Sequence, residues 1–153
     1  MEELVREALP EDFDGVFELV LELREHFGEK KALEKDKLYP IYLRFLDSDD
    51  NHIYVAEDDE RLAGFISMTI GVSLYGEKPY MVIDELIVTA GYRGQGIGKS
   101  LISQAIDRAK EFGCSEICVD TTVANEGAIR FYRKHGFTHE NILFEMELDK
   151  GDG

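Results

Sequence analysis

The chain has 153 residues, 44% of them hydrophobic and 32% charged, which fits one compact domain with a core of its own. Its 17 basic and 32 acidic residues leave a formal net charge of -15, a balance that repels nucleic acid and anionic membrane surfaces and suits cationic partners. No apolar run approaches the roughly 20 residues that span a bilayer, the acidic start Met1-Glu2-Glu3 is unlike a signal peptide, and Cys114 and Cys118 make no disulfide framework, so a cytoplasmic protein is expected.

The predicted elements follow in chain order. Residues 4–9 read as a short opening strand closed by Pro10. Pro10-Glu11-Asp12 then starts a helix, and Phe13, Val16, Phe17, Val20, Leu21 and Leu23 give it an apolar stripe. After a charged stretch, Leu38, Ile41, Tyr42, Phe45 and Leu46 mark a second helix. Residues 52–57 and 62–72 read as a hairpin around Asp58-Asp59-Glu60. Residues 80–88 form a strongly apolar strand interrupted by Asp84-Glu85. A glycine-rich turn leads into a helix with Ile97, Leu101, Ile102, Ala105, Ala109 and Phe112 on one face, ended by Gly113. A strand over 116–122, a short helix over 125–135 and a last alternation through Ile142, Phe144, Met146 and Leu148 complete the pattern, and residues 150–153 read as a frayed tail. The order predicts a single α/β (α+β) domain, residues 1–149, around a mixed sheet.

Two segments carry chemistry. In Arg93-Gly94-Gln95-Gly96-Ile97-Gly98-Lys99, three glycines let the backbone turn tightly and approach a ligand. The N–H groups that open the next helix, with its dipole, then make an anion cradle built mostly from backbone, to which Arg93 and Lys99 add charge. The spacing is neither that of the dinucleotide-binding fingerprint nor that of a P-loop. The four histidines, His26, His52, His135 and His139, show no ligand spacing with the cysteines, so no metal is expected. The second segment is Asn125-Glu126-Gly127-Ala128-Ile129-Arg130-Phe131-Tyr132-Arg133-Lys134-His135-Gly136-Phe137.

Together the two segments resemble the GNAT superfamily of N-acetyltransferases. Arg93-x-x-Gly96-x-Gly98 matches that family's Arg/Gln-x-x-Gly-x-Gly/Ala, and Asn125, Ala128, Phe131, Tyr132, Gly136 and Phe137 match its C-terminal pattern, with the element order agreeing over essentially the whole chain. The resemblance implies a mostly antiparallel mixed sheet of six to seven strands, about four flanking helices, and fourth and fifth strands that splay apart. It implies acetyl-CoA as co-substrate. Its arm would pair with backbone near Leu86, Ile87 and Val88, and its pyrophosphate would lie over Arg93, Gly94, Gln95, Gly96, Ile97, Gly98, Lys99 and Ser100. Asn125 would touch the arm, and Tyr132 would sit near the sulfur as the proton donor to the leaving thiolate.

The reaction is then direct attack of a primary amine in a ternary complex. An ammonium with a pKa of about 10.4 costs roughly 4 to 5 kcal/mol to neutralise at pH 7, so a carboxylate base is needed. Glu85 is the candidate and Asp84 the alternative; neighbours in a strand face opposite sides, so only one faces the cleft unless a bulge intervenes. Residues 27–46 are expected to wall the acceptor site, where Tyr39, Tyr42 and Phe45 either line it or simply pack. The expected acceptor is a cationic small molecule; a protein N-terminus or lysine is the alternative within the class, and a CoA-binding regulatory module without turnover is the alternative outside it. No nucleic acid or membrane partner is expected, and a homodimer remains open.

Overall fold

The computed structural model describes residues 4–149. The chain divides into two compact units, Met1–Val119 and Asp120–Gly153. In the first, β1 (Leu4–Glu7) and a 3-10 turn (Pro10–Asp12) lead to α1 (Phe13–His26) and α2 (Lys35–Asp47). Then come β2 (Asn51–Asp58), β3 (Arg61–Val72), β4 (Pro79–Val88), a second 3-10 turn (Ala90–Tyr92), α3 (Ile97–Glu111) and β5 (Ile117–Val119). The strands form one sheet in sequential order; the first three pairings are antiparallel and β4–β5 is parallel.

Local chemistry explains these elements. Asp59 and Glu60 take positive φ, 47° and 66°, between the paired residues Asp58 and Arg61. This is the backbone twist that two-residue hairpin loops require. The N-terminus of the sheet is pinned by Arg6, which pairs with Asp12 at 2.8 Å and also with Glu57 on β2. That guanidinium holds the Asp12 carboxyl below its ordinary value.

Each face of the sheet carries its own core. Phe13, Val16, Phe17 and Leu19 of α1 and Tyr42 of α2 bury against Ile53, Val55, Phe65 and Ile87. Side chains alternate along a strand and opposed residues share a face, so Ile66, Met68 and Ile70 of β3 lie on the other side. There α3, whose buried stripe is Ile97, Leu101, Ile102, Ala105 and Ala109, packs on β3 and β4. Fully burying a side chain such as Leu101 contributes about 1.5–3 kcal/mol.

The pairing of β3 with β4 is irregular at one point. Ser67 opposes Glu85, but Met68 opposes Ile83, so Asp84 is an extra residue in a β-bulge. The bulge changes which face β4 presents. Met81 and Ile83 share the α3 side with Ile70 and Met68, whereas Glu85 and Ile87 share the α1–α2 side with Ser67 and Phe65.

In the second unit α4 (Glu126–Lys134) is capped by Asn125, whose Oδ1 accepts from the Ala128 N–H at 3.1 Å. Phe131 packs edge-on against His135, and Tyr132 against Phe137.

Among the described residues the sheet has five strands rather than the six to seven expected. The shortfall falls on the last alternation: among the described residues 137–149 form no strand, and Ile142, Phe144, Met146 and Leu148 are all more than 80% exposed. Alternation marks a pleat with one apolar face but does not supply the partner whose ladder makes a strand. β5 is likewise shorter than the expected 116–122, covering only Ile117–Val119. The expected four helices are present.

Candidate active site

The bulge in β4 gathers four polar side chains on one stretch of sheet. Glu85 lies opposite Ser67 of β3, and Asp84, the bulge residue, reaches Thr69; both hydroxyl residues are on the face shared with Phe65. Thr69 Oγ1 donates to Asp84 Oδ2 at 2.6 Å, and Ser67 Oγ donates to Glu85 Oε1. Adjacent residues would normally point to opposite faces; the extra residue brings both carboxylates to the same side. Asp84 stays exposed while Glu85 is half-buried. Burial pushes the Glu85 carboxyl above its ordinary value, the Ser67 hydrogen bond opposes this, and the charge of Asp84 adds to it.

Just beyond this pair the sheet opens. β5 pairs with β4 only from Met81 to Ile83, and among the described residues no strand lies along that edge of β4 over 84–88. Ladder bonds alternate along an antiparallel strand. Ile87 turns its carbonyl toward β3, so close that a Cβ on Gly64 would lie 2.4 Å from it. Leu86 and Val88 therefore direct their backbone groups to the open side, and Val88 O accepts from Arg93 Nε at 3.0 Å.

The glycine-rich loop follows. Gly94 and Gly96 have φ of 80° and 86°, and a Cβ added at either would meet nothing within 4 Å, so open space faces the loop. Gly96 is the N-cap of α3, and no side chain caps that helix. Helix-opening N–H groups lack intrahelical partners and attract anions. Gln95 and Lys99 are exposed beside them, and Ser100 Oγ donates back to Gly96 O at 3.1 Å. These residues fit a diphosphate. Arg93 is also 3.4 Å from Glu22 of α1, which accepts a 2.6 Å hydrogen bond from Thr89.

Asn125 and Tyr132 belong to the second unit. The Asn125 oxygen is engaged as the cap of α4. Burial raises the Tyr132 phenol above its ordinary value, and Asp120 adds to the effect. Of the aromatic residues weighed for the acceptor wall, Tyr42 is 3% exposed and donates to Leu9 O at 2.5 Å, so it packs. Tyr39 stacks on Phe13 with ring centroids 4.8 Å apart. Ser67 and Thr69 were not singled out from the sequence. The signal for them is two hydroxyl residues at alternate positions on a face of β3 that is otherwise apolar.

A sheet of this topology, with a β4–β5 opening that leads into a glycine-rich helix start, defines an acyltransferase architecture, and comparison with known proteins agrees. The chain matches the Acetyltransferase (GNAT) family over residues 15–137. An uncharacterized N-acetyltransferase of Methanocaldococcus jannaschii is 29% identical over 91% of this chain, which spans 62% of that protein's length. N-alpha-acetyltransferase 30 of Saccharomyces cerevisiae is 31% identical over 80% of this chain and 74% of its own. The crystal structure of an aminoglycoside acetyltransferase from an uncultured soil metagenomic sample, in complex with sisomicin, superposes with a TM-score of 0.79 at 21% identity, covering 97% of each chain. The chain belongs to the GNAT acetyltransferase family. It is an acetyl-transferring enzyme, of a family that uses acetyl-CoA. No described helix is long and apolar enough to cross a membrane.

Proposed function

We propose that this enzyme moves the acetyl group of acetyl-CoA to a cationic small-molecule amine by direct attack in a ternary complex. The observation that carries the reading is the carboxylate pair of the β4 bulge, Glu85 half-buried beside exposed Asp84, next to the open edge of β4. Glu85 takes a proton from the acceptor ammonium, with Asp84 as the alternative base. The neutral nitrogen attacks the thioester carbonyl carbon, the C–N bond forms and the C–S bond breaks. The thiolate that leaves takes the phenolic proton of Tyr132, and the second proton, shed by the nitrogen as the amide forms, restores the Tyr132 phenol through solvent. Tyr132 is supported by its motif position on α4 and by carrying a phenolic proton that it can give.

For the co-substrate, the open-side backbone of Leu86 and Val88 would receive the arm, Ile87 between them being turned to β3, and residues 93–100 would receive the diphosphate, where a helix start and the unfilled space before Gly94 and Gly96 suit an anion. Asn125 would approach the arm through its amide. A protein N-terminus as acceptor is the second reading, favoured by the yeast relative.

The test is steady-state thiol release from acetyl-CoA over a panel of polyamines, aminoglycosides, amino acid derivatives and peptides with free N-termini. Turnover on a cationic small amine is expected. Glu85→Gln should lower kcat on the best acceptor about 10²–10⁴-fold. Peptides as the best acceptors would favour the second reading, and binding of acetyl-CoA with no turnover on any amine would leave a regulatory module instead.

A further inference from the structure

The hydroxyl of Ser67 occupies an unusual position. Ser67 is 1% exposed, in the middle of β3, opposite the bulge. The Glu85 N–H donates to Ser67 Oγ at 3.1 Å. Ser67 Oγ in turn donates to Glu85 Oε1. A serine hydroxyl has one proton. With a backbone N–H pointing into the oxygen, that proton is given to the carboxylate. The two bonds close a ring between one serine and the main chain and side chain of one glutamate at the edge of the bulge.

We propose that Ser67 is a positioning residue for the catalytic base: it holds Glu85 Oε1 and thereby assigns Glu85 Oε2 to receive the proton of the acceptor ammonium. This inference rests on the reading of Glu85 as the base. A carboxylate that rotates freely offers its proton-accepting lone pair in the productive direction only part of the time, and the cost of misplacement at a reacting centre is steep. The hydroxyl also stabilises the ionised form of a group that its surroundings push toward protonation. The charged group acting on Glu85 is Asp84, on its own strand, and Asp84 is itself held by Thr69. From β3 the neighbours are the uncharged Ser67, Ile66 and Met68. Glu22 of α1 is committed to Thr89 and Arg93 at the end of β4, and β5 pairs only with residues before the bulge.

The experiment compares pH profiles of kcat/KM for the acceptor, at saturating acetyl-CoA, in the wild type and in Ser67→Ala, Ser67→Cys and Glu85→Gln. Ser67→Ala should move the acidic limb upward by about 1 pH unit, the scale of a lost hydrogen bond to a charged group. Ser67→Cys, with a weaker donor, should fall between, and serves alone if the alanine variant does not fold. Glu85→Gln should remove the limb. In parallel, carbon-13 NMR titration of labelled glutamate should place the Glu85 carboxyl midpoint higher in Ser67→Ala than in the wild type, a readout independent of turnover. If Glu85→Gln removes the limb while both Ser67 variants leave the limb and the midpoint where they were, Ser67 only fills the bulge and the inference is overturned. If Glu85→Gln leaves rate and limb intact, it is the base assignment that falls, whatever the Ser67 variants do.

Discussion

At the scale of single residues, the site holds a group that the fold would be more stable without. Burial raises the Glu85 carboxyl above its ordinary value, so the folded state binds the proton more tightly than the unfolded chain does. Below the unfolded value, about 4.3, both states are protonated and nothing is lost. As pH rises through the folded value the charge must form in a half-buried place, and stability falls. Glu85→Gln removes that charge and retains an oxygen able to accept from Ser67. The variant is therefore expected to be more stable than the wild type at pH 7.5 and to lose this advantage near pH 4. Urea unfolding at the two pH values measures it, and an advantage that does not shrink in acid would assign it to some other cause. On the proposed reading of Glu85 as the base, such a result would show stability given up where a proton acceptor is wanted, a pattern common at functional sites.

At the scale of elements, the glycine loop before α3 allows the proposed cofactor binding to be tested apart from folding. Gly96→Val places a β-branched residue at a φ of 86°, but its Cβ would meet nothing within 4 Å. Strain of about 1–2 kcal/mol is expected, with the fold retained. The same side chain would stand in the space that faces the helix start, so acetyl-CoA binding should be lost. Calorimetry beside a melting curve checks both halves, and normal binding would put the diphosphate elsewhere. This loop was legible in the sequence because three glycines between an apolar strand and an amphipathic helix mark a turn with the positive φ that other residues resist, as Gly94 and Gly96 adopt. The helices and the β2–β3 hairpin were legible for similar reasons: the α3 stripe has period 3.6, and Asp59-Glu60 is bounded by alternating strands. What the alternation could not reveal was the face of Glu85. Met81, Ile83, Glu85 and Ile87 read as one continuous stripe, yet the bulge divides them between the two sides of the sheet. A bulge is a property of two paired strands, and one strand's sequence does not record it. Ser67 escaped notice for the same reason, since its meaning depends on which residue lies opposite.

At the scale of the whole molecule, the net charge of -15 is a long-range field, and part of it is gathered. Glu11, Glu18, Glu22, Glu25, Glu57 and Glu60 line a groove of about 800 Å³ that reaches Thr89 at the end of β4. A cationic acceptor approaching that side gains encounter rate, and salt screens the gain over a Debye length of about 8 Å at physiological strength. With acetyl-CoA saturating, so that weaker donor binding does not contribute, kcat/KM for the acceptor should fall as ionic strength rises. A rate indifferent to salt, with a neutral best acceptor, would reduce the acidity to a matter of solubility.

The extra residue in β4 also bears on how this chain tolerates changes of length. Deleting one residue from a regular strand inverts every side chain beyond the deletion. Deleting Asp84 would do the opposite. Ile83 would become the direct neighbour of Glu85, and simple alternation would keep Ile83 on the α3 side and Glu85 on the α1 side, where each already lies. The shortened chain is therefore expected to fold with both cores in register and a melting temperature close to that of the parent. What it loses is the local bend and the seat of the Glu85 carboxylate on Ser67, so its rate of acetyl transfer should collapse while its circular dichroism does not. An unfolded deletion variant would mean that the bulge is part of the fold's own stability; a folded and inactive one would mark Asp84 as an insertion kept for the reaction alone.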